Sequence, residues 1–145
     1  INTTLSAKKW IEENIPRKKK ILLYGSYTGL PRIVDFNSKE QAQYGEYFMY
    51  YRWNNQFLKN QFRIAHANYI KAGKPTYDLL NIRHKLKNEE EDKLFDYCLD
   101  NNVDYVATYR DLSSYPELEN RILKVFDREE YPYGRKILIY KVSDN

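Results

Sequence analysis

The residues best suited to chemistry in this 145-residue chain fall into five groups. Each needs weighing against plain packing or solvation. Gly25-Ser26-Tyr27-Thr28-Gly29 follows an apolar run, and Asp35-Phe36-Asn37 comes ten residues later. A strand, Gly-Ser and then an acidic strand is the minimal arrangement for nucleotidyl transfer, where Gly-Ser holds phosphates and paired carboxylates hold Mg²⁺. Here the second carboxylate is replaced by the Asn37 amide, a neutral ligand poorly matched to two metals. The loop also lacks the Lys of a phosphate-binding P-loop, the glycine spacing of a dinucleotide fingerprint and the flanking glycines of a nucleophile elbow.

The remaining groups read as structural. Cys98 shares a helical stripe with Leu94, Phe95 and Leu99, the pattern of a packed thiol, not an activated one. His66 and His84 stand without a ligand at metal spacing. Glu89-Glu90-Glu91-Asp92 occupies a first helical turn, where negative charge suits the helix dipole, so it reads as a solvated start. We assign no catalytic residue, no metal site and no cofactor from these groups.

Charge narrows the partners. The first 20 residues hold six bases against two acids, leaving 18 of each sign in the rest of a chain whose net charge is +4. A nucleic-acid binder would spread a basic face across its fold. Here the surplus centres on one knot, Arg17-Lys18-Lys19-Lys20, which reads as a solvated turn or a contact for anionic headgroups. We expect no nucleic-acid partner. A single cysteine excludes an internal disulfide, and 42% hydrophobic residues exclude wholesale disorder.

These residues must be placed by recognisable elements. Ala7, Trp10, Ile11 and Ile15 form a helical stripe that Thr4 or Ser6 can cap and Pro16 ends. Lys20–Tyr24 reads as a buried strand and Ile33–Phe36 as a shorter one. An aromatic stretch from Ser38 to Lys71 reads as one or two helices, while Tyr77–Lys87 stays undecided. A helix with Asn88 as its N-cap and Glu91 at capping-box spacing leads into a strand over Val103–Tyr109. A short helix near Pro116–Arg121 follows. Ile122–Asp127 and Lys136–Val142 complete a hairpin across Tyr131-Pro132-Tyr133-Gly134. At roughly 150 residues per domain, this alternation predicts a single α/β domain over residues 1–145. Its small, mixed, partly parallel sheet is flanked by helices and closed by an antiparallel hairpin.

The local wording adds a resemblance. Ala7-Lys8-Lys9-Trp10-Ile11-Glu12-Glu13-Asn14-Ile15-Pro16, followed by a basic turn and Ile21-Leu22-Leu23-Tyr24-Gly25, resembles a segment after the last transmembrane helix of polytopic glycosyltransferases. These are of the GT-C, dolichyl-phosphate-mannose mannosyltransferase-like type. Leu30-Pro31-Arg32-Ile33-Val34-Asp35, Asn102-Val103-Asp104-Tyr105-Val106-Ala107-Thr108-Tyr109 and Ile137-Leu138-Ile139-Tyr140-Lys141-Val142 resemble the same family, together about half of the chain. The resemblance implies a soluble domain on the extracytoplasmic face of the cell membrane. It would be cut from the C-terminal end of a longer polytopic protein, in keeping with an opening Ile1 and no signal peptide.

The family's catalytic and metal-binding acids lie in its membrane portion, so none is carried over to this chain. The implied role is an accessory domain over a membrane active site that uses a lipid-phosphate-sugar donor, or one that recognises the acceptor. Its partners would be the transmembrane portion and a glycan or lipid-linked sugar. Strand ends are where an α/β sheet binds ligands. They select Ser26, Tyr27, Thr28 and Arg32 after the first strand, and Tyr109, Arg110 and Asp111 after the strand at Val103. The alternative is a freestanding nucleotidyltransferase-like enzyme using the Gly25-Ser26 turn and Asp35.

Overall fold

The computed structural model describes residues 3–25, 71–73, 77–82, 84–127 and 135–144. Helix α1 spans Thr3–Asn14, and strand β1 spans Lys20–Tyr24. Strand β2 spans Asp78–Ile82. Helices α2 (Asn88–Glu91) and α3 (Leu94–Asp100) lead to β3 (Tyr105–Thr108). Helix α4 (Pro116–Glu119) precedes β4 (Ile122–Phe126) and β5 (Ile137–Lys141). The expected strand at Ile33–Phe36, the helices over 38–71 and the Tyr131–Gly134 turn lie outside the described residues.

The five strands form one mixed sheet in the order β2-β1-β3-β5-β4. Strand β1 pairs in parallel with β2 (Leu22 opposite Leu80) and with β3 (Leu22 opposite Val106). Strand β5 runs antiparallel to both β3 and β4. This is the α/β fold with a partly parallel sheet and a terminal antiparallel pair that the alternation predicts. Strand β2 emerges from the undecided segment. Leu79 and Leu80 sit side by side because both faces of a parallel strand are covered, so no polar alternation marks it.

Strand alternation sorts the core into two layers. Ile21, Leu23, Tyr105, Ala107, Ile137 and Ile139 point toward α1 and pack with Ala7, Ile11 and Ile15. Leu22, Tyr24, Val106, Leu138 and Tyr140 point the other way, against Leu94, Cys98, Leu112 and Leu118. Cys98 is a packing residue, and burial pushes its thiol up to about 12. Trp10 closes the edge of the first layer, its ring set edge-on to Phe126 at 6.5 Å.

The buried Tyr77 hydroxyl donates to the Ile11 carbonyl at 3.0 Å and the Ile15 carbonyl at 2.7 Å. It thereby serves carbonyls at the end of α1 that have few helical partners. Just after helix α3, Asn102 takes the left-handed conformation at φ 56°, one that asparagine tolerates at a helix end. No helix among the described residues is long and apolar enough to cross a membrane.

Candidate functional site

The chain passes from β1 to β2 on one side of β1 and later to β3 on the other. Two parallel neighbours whose connections diverge leave a crevice at their carboxyl ends, the usual ligand position in such sheets. In this sheet that position lies beyond Tyr24 of β1 and Thr108 of β3.

Gly25 ends β1 with φ +72° and donates its N–H to the Ile82 carbonyl at 2.8 Å. This backbone conformation favours glycine. The space beside Gly25 is ordinary, because an added Cβ would sit 3.5 Å from Arg110 Cγ. The Arg110 stem therefore lies across the end of β1. Its backbone N–H donates to the buried Thr108 Oγ1 at 2.9 Å.

The Arg110 head turns toward Glu91 of α2. Nε donates to Glu91 Oε2 at 3.1 Å and Nη2 to Oε1 at 2.8 Å, a two-pronged pair. The Tyr115 hydroxyl donates to Oε1 at 2.6 Å, and the buried Tyr24 hydroxyl donates to Oε2. Tyr24 in turn accepts the Leu86 N–H at 3.1 Å. One carboxylate thus ties the ends of β1 and β3 to α2 and to the residue preceding α4.

The side chain of Glu91 is 0% exposed, against 36% for Arg110. Burial alone would push the Glu91 carboxyl up. The bonds from Arg110, Tyr115 and Tyr24 outweigh it and hold the carboxyl below the usual range. The tyrosines respond in the opposite sense: burial and the Glu91 bond push Tyr24 up to about 12. The same bond, aided by burial, lifts Tyr115 to about 12. Glu91 is therefore a carboxylate and both tyrosines are neutral donors across the ordinary pH range.

Three of the seven strand-end residues selected from sequence can be located. Tyr109 packs on the α1 side with the Arg135 guanidinium 5.1 Å from its ring centre. Arg110 anchors Glu91, and Asp111 turns back to accept from the Ser113 N–H at 3.0 Å and from the Ser113 hydroxyl. Ser26, Tyr27, Thr28 and Arg32 lie outside the described residues, as do Asp35 and His66. Among the described residues, no group of three or more His, Cys, Asp and Glu is placed to hold a metal ion.

One expectation needs correcting. Glu91 is neither solvated nor part of a capping box: residue 87 occupies the N-cap, no side chain caps the helix, and of the four acids Glu89, Glu90 and Asp92 face solvent. The cause is the three donors below it, which make the interior a better environment than water for that one carboxylate. Its position gave a usable signal. Residues 91, 94 and 98 share one helical face by their i, i+3, i+7 spacing, and Leu94 and Cys98 were already assigned to the core. Comparison with protein-family models, with curated proteins and with solved structures finds no match for the chain.

Proposed function

We propose that this chain is a non-catalytic accessory domain of a membrane glycosyltransferase that uses a lipid-phosphate-sugar donor. In this reading it is a soluble domain on the extracytoplasmic face of the cell membrane. It packs over the membrane active site or recognises the acceptor, and the crevice beyond β1 and β3 is its ligand-facing surface. One observation carries the reading: among the described residues, Glu91 and Asp111 at these strand ends are committed to internal bonds. Glu91 accepts from Tyr24, Tyr115 and twice from Arg110, and Asp111 accepts twice from Ser113. A general base needs a carboxylate within reach of a substrate proton, whereas these groups fix the shape of a surface. The family resemblance supports the same role, since its matching stretches supply α1, β1, β3 and β5.

The test is an NMR titration of the ¹⁵N-labelled chain with neutral oligosaccharides. The reading expects saturable shifts at Gly25, Tyr109, Arg110 and Asp111. Shifts confined to other surfaces would overturn it. So would micromolar nucleotide binding that depends on Mg²⁺ and is lost in Asp35→Asn, the mark of the nucleotidyltransferase alternative.

A further inference from the structure

The turn between α1 and β1 holds a residue that its backbone does not favour. Lys18 sits in the left-handed region at φ 65°, a conformation that suits glycine or asparagine and is costly for a longer side chain. Its side chain is exposed. Among the described residues it makes no hydrogen bond or ion pair that would offset that cost. Glycine would serve the turn better, so what lysine adds there is a solvent-facing positive charge.

Folding enlarges that charge. Arg17 is exposed beside Lys18, and Lys19 is half-buried. Arg17 Nη2 donates to the Gly73 carbonyl, and the Lys19 carbonyl accepts the Asp78 N–H at 3.1 Å. These bonds lay the segment before β2 along the turn. Exposed Lys71 is two residues from Gly73, so chain length alone keeps it within about 7 Å of that glycine, Cα to Cα. The carbonyl that Arg17 meets is neutral and leaves its charge uncompensated.

The nearby acids are directed elsewhere. Glu12 pairs with Lys8 at 2.6 Å, and Glu13 stands one helical turn from Lys9. Asp104 accepts the Lys20 backbone N–H at 3.0 Å, and Asp78, opposite Lys20 in the β1–β2 register, has an interaction of its own. Lys20 is flanked by those last two acids. Arg17, Lys18, Lys19 and Lys71 remain as one basic patch at the amino ends of β1 and β2.

We infer that this patch docks the chain on an anionic lipid surface through headgroup phosphates. A cluster of four bases is enough for an anionic leaflet to attract. A nucleic-acid backbone calls for a longer track of bases, whereas mobile headgroups can gather beneath a compact patch. The patch lies at the opposite end of β1 from Gly25, so this inference and the proposed function can each fail alone.

The test is co-sedimentation with phosphatidylglycerol–phosphatidylcholine vesicles at low ionic strength. Binding should rise with phosphatidylglycerol content and be absent on pure phosphatidylcholine. About 1 M salt, where the screening length is about 3 Å, should release it. Lys18→Gly should weaken binding about fivefold, the effect of one base near a charged leaflet. Its Tm should hold or rise, since glycine accepts the positive φ. Lys71→Ala, distant in sequence, should weaken binding by a similar factor because the fold sets it by the turn. Lys85→Ala, an exposed lysine beyond β2 at the other end of the sheet, should change binding by less than about twofold, the effect of a screened charge. Equal binding to phosphatidylcholine, equal effects of Lys18→Gly and Lys85→Ala, or indifference to Lys71→Ala would overturn the inference. So would tighter binding to duplex DNA at matched phosphate concentration. Oligosaccharide shifts at Gly25 without vesicle binding would leave the proposed function standing and remove this inference; vesicle binding without those shifts would do the reverse.

Discussion

On the α1 side of the sheet the buried Tyr77 hydroxyl meets backbone carbonyls, whereas on the opposite side the buried Glu91 carboxylate meets three side chains. The first arrangement is neutral and local in effect: it finishes a helix and could be replaced by water at modest cost. The second is charged and ties four segments together, so no member can leave without stranding another. An uncharged hydroxyl tolerates imperfect satisfaction. A buried carboxylate does not, because its desolvation must be offset by well-placed donors. The strand-end network is thus the more interdependent of the two regions.

Four substitutions or conditions would break or sharpen this contrast. Arg110→Met should be the most damaging, since it leaves Glu91 buried without its cation; removing one partner of such a pair costs about 3–5 kcal/mol. Urea denaturation measures it, and the exposure of Arg110 places the value toward the lower end. Gly25→Ala comes next, at about 1–2 kcal/mol for an L side chain held at positive φ. Its cost arises from the backbone, since the neighbouring space accepts a Cβ. Tyr77→Phe should cost about 1 kcal/mol, the ordinary worth of one neutral hydrogen bond. A loss as large as that for Arg110→Met would erase the distinction between the faces.

The gentlest perturbation is pH. Glu91 is held below its usual range when folded, so its contribution is present above the unfolded carboxylate pKa. It is lost as pH falls through the folded value. Tyr24 and Tyr115 are raised to about 12, so theirs is complete below the ordinary tyrosine value of 10 and is lost between 10 and about 12. A thermal-melt series from neutral to alkaline pH should show Tm falling in that window, and Tyr115→Phe should flatten the fall.

Most of the layering was legible in the chain. The Ala7–Ile15 stripe, the Ile21–Tyr24 run and the Ile137–Val142 ending each carry their period and their stop signals, and each forms the element expected. Strand β2 was not legible, because covering both its faces removes the alternation that identifies a strand. Arg110 was selected as a strand-end residue by topology alone. Its partner was hidden by composition: Glu91 sits in a run of four acids that looks uniformly solvated, although its spacing from Leu94 and Cys98 places it on the buried stripe. The donors that keep it there, Tyr24 and Tyr115, lie 67 and 24 residues away. No local pattern joins them.

The account rests on Glu91 and Arg110 acting as one unit at the end of the sheet, and a double-mutant cycle measures that directly. Urea denaturation of the parent, Glu91→Gln, Arg110→Met and the double variant should give a coupling energy of about 2 kcal/mol, within the range for residues in one hydrogen-bonded network. The double variant should be less destabilised than the sum of the singles. Additivity to within about 0.5 kcal/mol, the behaviour of distant and independent sites, would contradict it.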